Sequence, residues 1–346
     1  VKAMVVGNLS DPGKNPDGQR VKTHQFLAAL RRSELVEIVT LDSSRSRATL
    51  FFRMWGHLGE VDRVFLLPGK RLLFLAGVFF RLYKALVRPS PVFHLVVIGG
   101  WLSRLSSKRI FGWALGAFDS ISPETEEIAK GLKSMTPEIT VLQNFRVFQG
   151  STEPSAVAPS QHMRLVFLSR VTRSKGVFEA IQLVLALHKN SVPVHLDVFG
   201  PLLFDDPSDE KAFHEGLQKT GGLAHYAGLV DPANVISLLR NYDCVLFPST
   251  YEGEGFPGII VESVLAGTPV IARDHMFLSL LNEKYDFGFV TPGDFVEDTS
   301  SILRAGKHLS WRQEWVSSER FFELEELFGY PAFERWISAV LRVTSR

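Results

Sequence analysis

A chain of 346 residues, 45% apolar and 22% charged, fits one or two globular domains with an ample core. Its single cysteine, Cys244, sits in an apolar run and excludes both a disulfide framework and a cysteine metal site. The net charge of +1 hides an asymmetry: residues 1–144 carry 20 Lys and Arg against 12 Asp and Glu, a net +8, and the rest carry 18 against 25, a net −7. A basic half of this kind points to an anionic surface as partner.

The chain opens with Val1-Lys2-Ala3-Met4-Val5-Val6-Gly7, which reads as a first strand over Lys2–Gly7 rather than as a secretory leader. A loop over Asn8–Gly18, rich in Gly, Pro, Asp and Asn, follows. A helix over Val21–Leu30 then carries Phe26, Leu27 and Leu30 on one face. The glycines at 7, 13 and 18 do not have the G-x-G-x-x-G spacing of a dinucleotide site, which argues against a nicotinamide dehydrogenase. Further strands are expected at Val36–Leu41, Val64–Leu67, Val92–Ile98, Gly116–Ile121 and Ile139–Leu142. A helix after Ser122-Pro123-Glu124 would take Ser122 as its N-cap.

Lys70–Arg88 is of helical length, rich in Leu and Phe, with five cations and no acid. Two readings stay open: a core helix with solvated basic ends, or an in-plane membrane helix whose Lys and Arg meet anionic lipid. Its longest uncharged run, Leu72–Phe80, is far short of the ~20 residues of a spanning helix.

Phe145–His162 reads as an interdomain linker, after which strands and helices alternate again. Strands are expected at Leu165–Leu168, Val194–Phe199, His225–Gly228, Asp243–Phe247, Val270–Ala272 and Phe287–Val290. Asp231-Pro232 opens a helix with a good cap, and Pro292-Gly293-Asp294 starts another. The end, Phe321–Val343, is helical and broken at Gly329-Tyr330-Pro331. Alternation of this kind predicts parallel sheets covered on both faces.

Two motifs carry chemistry. In Arg170-Val-Thr-Arg-Ser-Lys175-Gly176 two cations and a glycine meet where a strand passes into a helix, which makes an anion site. In Glu254-Gly-Phe-Pro-Gly-Ile-Ile-Val-Glu262 a Gly-rich loop, with Pro257 placed in the first helical turn, leads into a helix that is apolar nearly all round and therefore buried. A carboxylate at Glu262 needs a partner there, and the paired hydroxyls of a ribose would supply one; the alternative is an ordinary buried helix after a loop.

These motifs closely resemble the family-four retaining glycosyltransferases of the GT-B superfamily. The resemblance covers Leu165–Val290 well and the first half mainly by architecture. It implies two Rossmann-like domains facing each other across a cleft: residues 1–150 for the acceptor, 163–325 for the nucleotide sugar, and 326–346 packing back on the first domain. It implies transfer of a sugar from a nucleotide diphosphate sugar, with retention, to a glycan or lipid-linked acceptor in polysaccharide or glycolipid synthesis. Arg170 and Lys175 would clamp the donor diphosphate, Glu254 would contact the sugar hydroxyls, and Glu262 would hold the ribose. Gly18, Gly200, Gly228, Leu229, Gly255, Phe256, Pro257, Gly258 and Ile259 would line the donor site. No D-x-D triplet occurs, so no metal and no cofactor is expected. No nucleic-acid partner is expected, and the location would be cytoplasmic, at most peripheral on a membrane. Relatives often carry a histidine after the strand matching Val92–Ile98; here Gly99-Gly100-Trp101 follows, and no catalytic histidine is nominated. A nucleotide-sugar epimerase of the same fold and a non-catalytic sugar-binding subunit are the rival readings.

Overall fold

The computed structural model describes residues 1–11, 18–44, 46–102, 109–132, 137–147, 162–317 and 320–344. Most of the expected linker, residues 148–161, lies outside them, as does Gly13.

The N-terminal sheet contains β1 (Lys2–Gly7), β2 (Glu37–Asp42), β3 (Arg63–Leu66), β4 (Val92–Val96), β5 (Ser120–Ser122) and β6 (Glu138–Ile139), in the order β2-β1-β3-β4-β5-β6. The C-terminal sheet contains β7 (Met163–Leu168), β8 (Val194–Phe199), β9 (Ala224–Gly228), β10 (Cys244–Phe247), β11 (Val270–Arg273) and β12 (Gly288–Thr291), in the order β12-β11-β10-β7-β8-β9. Every pairing is parallel. Crossover helices cover both faces, so the strands are buried on both sides and read as apolar runs rather than alternating ones. The architecture is two Rossmann-like domains.

Helices α1 (Gly18–Arg32), α2 (Arg47–Leu58), α3 (Lys70–Leu86), α4 (Arg109–Leu115) and α5 (Glu126–Lys130) flank the first sheet. The cap of α5 is Thr125, whose side chain accepts from the Ile128 N–H, and not Ser122. Ser122 still belongs to β5, and the two residues between them turn the chain so that Glu124 points into the molecule. The expected strands at Gly116–Ile121 and Ile139–Leu142 shrink to β5 and β6. Residues 116–119 are spent on a turn after α4, and 140–147 run on irregularly, with the Thr140 N–H still donating to the Ile121 carbonyl of β5.

One face of α3 is core: Leu72, Leu73, Ala76, Phe80 and Tyr83 are buried. Lys84 is not available to a lipid surface, because its Nζ lies 2.7 Å from Oδ1 of the fully buried Asp119. Among the described residues no helix is long and apolar enough to cross a membrane.

The second sheet carries α6 (Val177–Lys189), α7 (Pro207–Lys219), α8 (Val235–Leu239), α9 (Gly258–Ala266), α10 (Leu278–Tyr285), α11 (Phe295–Arg304), α12 (Lys307–Ser317) and α13 (Arg320–Phe328). The last helix, α14 (Tyr330–Val340), joins the core of the first domain. Phe333 and Trp336 pack against Phe26 with ring centroids 5.4 and 5.6 Å away, and Trp336 Nε1 donates to Ser122 Oγ. Arg63 fastens the end of α14 by donating to the carbonyls of Val340, Leu341 and Val343, which offsets the unpaired acceptors of a helix C-terminus.

Candidate active site

The domains enclose a cleft of about 610 Å³. In the C-terminal sheet the strand order reverses between β7 and β10, and open α/β sheets bind ligands beyond the strand ends at such a reversal. The chain leaves β7 toward Arg170 and leaves β10 toward Ser249. The two sequence motifs, about 80 residues apart in the chain, are therefore neighbours in space.

The first motif is shaped by Thr172, whose side chain accepts from the Lys175 N–H and caps a single 3-10 turn over Arg173–Lys175. Gly176 then takes φ +82°, and a Cβ there would lie 2.4 Å from the Pro248 carbonyl oxygen, so only glycine lets the two loops touch. Lys175 is 7% exposed, and its Nζ donates to Glu254 Oε1; Ser249 Oγ donates to the same oxygen at 2.9 Å. The Arg170 guanidinium lies 4.9 Å and the Lys175 ammonium 4.7 Å from the centre of the Tyr251 ring. One aromatic ring thus gathers both cations. Lys175 is therefore a member of a buried ion pair rather than a solvated loop charge.

The second motif begins α9 at Gly258 with Pro257 as its N-cap residue. Pro257 therefore precedes the first turn rather than lying in it. Every residue from Ile259 to Ala266 is buried, as the apolar pattern requires. Glu262 does not wait for a ligand to partner it: Arg146 donates to its Oε1 at 2.7 Å. Arg146 belongs to the irregular segment after β6, and Asn144 in the same segment donates to the Phe256 carbonyl at 2.9 Å. The side chain of Phe256 turns away from the cleft into a cluster with Tyr285 and Phe328.

From the first domain, Glu124 reaches the same loop. Its Oε2 accepts from the Gly99 N–H at 2.8 Å and the Phe256 N–H at 3.3 Å, and its Oε1 accepts from Lys22 Nζ at 2.8 Å. Both partners are almost fully buried. Burial pulls the Lys22 pKa down, and Glu124 opposes that shift. Gly99 and Gly100, which stand where relatives often have a histidine, let the backbones of the two domains meet. A Cβ on Gly100 would lie 2.1 Å from the Glu254 carbonyl oxygen.

The model of the glycosyl transferases group 1 family matches residues 152–306. That stretch is similar to group 1 glycosyl transferases, and the chain has a GT-B fold. Among solved structures it resembles Anabaena HepE in complex with UDP, at 17% identity and TM-score 0.70 over 99% of each chain. It resembles sucrose-phosphate synthase from Thermosynechococcus elongatus at 14% identity and TM-score 0.72, over 99% of this chain and 98% of that one. It also resembles the trehalose-6-phosphate synthase OtsA at 12% identity and TM-score 0.72 over the whole of both chains. At these identities the likeness is one of fold. No curated protein sequence matches the chain.

Within this GT-B cleft all the residues expected at the site form part of the lining except Gly228 and Leu229. The Gly228 carbonyl accepts from the Gly200 N–H, and Leu229 is an exposed residue outside the cleft. The lining of that segment is instead Val230, Pro232 and Val235, because the turn after β9 carries the chain one or two residues further before it faces the cleft. Four lining or supporting residues of the GT-B site were not read from sequence: Lys22, Glu124, Asn144 and Arg146. Lys22 had a signal, since it lies one turn before Phe26 on the apolar face of α1. Arg146 had none. His94 is fully buried and does not line the cleft. Its Nε2 accepts from Arg63 and its Nδ1–H donates to Ser120 Oγ at 2.6 Å. Burial, with the Arg63 charge beside it, lowers its pKa to about 3, so it is a neutral structural residue.

Proposed function

We propose that the chain is a retaining glycosyltransferase that takes its sugar from a nucleoside diphosphate sugar. The observation that carries this reading is the meeting of Arg170, Lys175, Glu254 and Glu262 in one interdomain cleft, with two cations and two carboxylates at the strand-order reversal. A diphosphate needs fixed positive charge, and Arg170 and Lys175 supply it without reorganisation as negative charge develops on the leaving group. Among the described residues only Oε1 of each carboxylate is hydrogen-bonded within the chain. The second oxygens of Glu254 and Glu262 are the acceptors proposed for the hydroxyls of the sugar and of the ribose. Retention would follow from departure and attack on one face, the leaving phosphate taking the proton of the acceptor hydroxyl.

The solved complexes of HepE contain UDP and UDP-glucose, which makes uridine diphosphate sugars the first donors to try. The acceptor we propose is a glycan or a lipid-linked sugar. A thermal-shift panel of uridine, guanosine and adenosine diphosphate sugars identifies the donor, because a ligand that binds only the native state raises the melting temperature. Turnover with that donor and an acceptor, with the anomeric configuration of the product read by proton NMR, then tests the reading. An inverted product overturns the retaining mechanism. Release of an epimerised free sugar without an acceptor overturns the transferase.

A further inference from the structure

We propose that α2, α3 and α4 together form a docking face for an anionic lipid bilayer. This is independent of the chemistry assigned to the cleft. The three helices lie side by side. Trp55 of α2 packs on Phe79 and Tyr83 of α3, and Phe74 and Arg81 of α3 pack on Phe111 and Trp113 of α4. Their inner faces cover the sheet. Their outer faces are apolar where a surface helix should be polar.

On α3 the outward stripe is Leu75, Leu82 and Leu86, of which Leu86 is 73% exposed. Phe52 on α2 is 81% exposed, and Ile110 and Trp113 on α4 are about half exposed. Scattered exposed apolar residues need no explanation, but a run of them across three adjacent helices marks an interaction site. Within the three helices the charge has one sign. None of them contains an Asp or Glu, while Arg53, Arg71 and Arg109 are exposed on them and Arg88 just beyond α3; the exposed Glu60 just beyond α2 is paired with His57 and Lys2.

That charge pattern selects the occupant. A second copy docking face to face would set like charges against each other. An anionic bilayer accepts the aromatic and aliphatic side chains at the headgroup boundary and the arginines at the phosphates. The face extends the reading of Lys70–Arg88 from one helix to three and corrects its chemistry: Lys84 faces inward, and the aromatic contribution comes from Phe52, Trp55 and Trp113. The N-terminal end of α3 is at the cleft, where Gly69 and Lys70 are lining residues, so a bilayer on this face would lie beside the cleft mouth.

The test is flotation of the purified full chain with vesicles of phosphatidylcholine containing increasing phosphatidylglycerol, at low and high salt. The expected result is binding that rises with phosphatidylglycerol, falls with salt, and drops at least about tenfold in L82S/L86S and in F52S/W113S, from the apolar area withdrawn. Leu82 and Leu86 are exposed, so the melting temperature of L82S/L86S should match the parent; F52S/W113S also loses the contact of Arg81 with Trp113, so its far-UV circular dichroism is the check that it is folded. Tryptophan emission should shift to the blue on vesicle addition, and W55F/W113F should lose most of that shift. A chain that stays soluble on anionic vesicles at low salt overturns the proposal. So does vesicle binding unchanged in both serine variants. Self-association abolished by L82S/L86S, or an acidic protein partner competing for the same residues without any vesicle binding, would also overturn it by naming a different occupant.

Discussion

Arg146 Nε and Glu262 Oε1 lie 2.7 Å apart, with both residues more than nine-tenths buried. The pair ties the segment leaving the first domain to the helix expected to hold the donor ribose. A buried ion pair adds little net stability, but removing one partner strands the other charge, at a cost of about 3–5 kcal/mol. Arg146→Ala should therefore lower the unfolding free energy by about that amount, read from urea denaturation. Adding Glu262→Gln should recover part of the loss, since the stranded carboxylate is then neutral. A double-mutant cycle that shows no coupling would mean that the pair is not formed in solution.

The two cations of the first motif should separate in their effects. Each should cost about 2–4 kcal/mol of transition-state stabilisation when replaced by alanine, by analogy with the loss of one preorganised donor. Arg170→Ala should leave the melting temperature nearly unchanged. Lys175→Ala should lower it as well, because Glu254 then loses its buried partner. Turnover with a confirmed donor, set beside thermal unfolding of the same samples, makes the distinction. Parent-like turnover in either variant would remove that residue from the clamp.

Gly100→Ala should push the domains apart, since its Cβ would meet the Glu254 carbonyl at 2.1 Å and the obstacle is backbone on both sides. The expected outcome is a raised KM for the donor and a larger radius of gyration by small-angle scattering, with the helical content unchanged. A scattering profile identical to the parent's would show that the two loops do not meet in solution.

His94 makes stability depend on pH. In the unfolded chain it takes a proton near pH 6.5, and in the folded chain burial holds this off until about pH 3. Between these values the unfolded state binds the proton, so the contribution of His94 is complete above pH 6.5 and declines by about 1.4 kcal/mol per unit as pH falls toward 3. Urea midpoints at pH 7.5, 5.5 and 4.5 measure the slope. His94→Gln should flatten it by about one proton, after an initial loss at neutral pH from the disturbed contacts with Arg63 and Ser120.

Much of the fold was legible because parallel strands buried on both faces are written as short apolar runs, from Met4-Val5-Val6 to Val270-Ile271-Ala272. The cap at Asp231 was legible because it is local: the aspartate accepts a backbone N–H two residues on. The cap assigned to Ser122 was misplaced because Ser-x-x-Thr offers two hydroxyls, and only the end of β5 decides between them. Gly228 and Leu229 were placed in the cleft by their position after a strand, but the direction of the turn after β9 is not encoded in two residues.

The residue types and spacings alone determined where charge is concentrated: cations and glycine at a strand-to-helix turn, and carboxylates eight positions apart on a loop and a buried helix. These follow from local rules of periodicity, capping and desolvation that hold whatever surrounds them. Only the tertiary structure decided who partners whom. Glu262 meets Arg146, Glu254 meets Lys175, and Glu124 joins Lys22 to the Phe256 N–H, because two sheets with reversed strand orders bring distant loop ends to one cleft. A buried charge obliges a chain to supply a partner, and the fold chooses which residue that is.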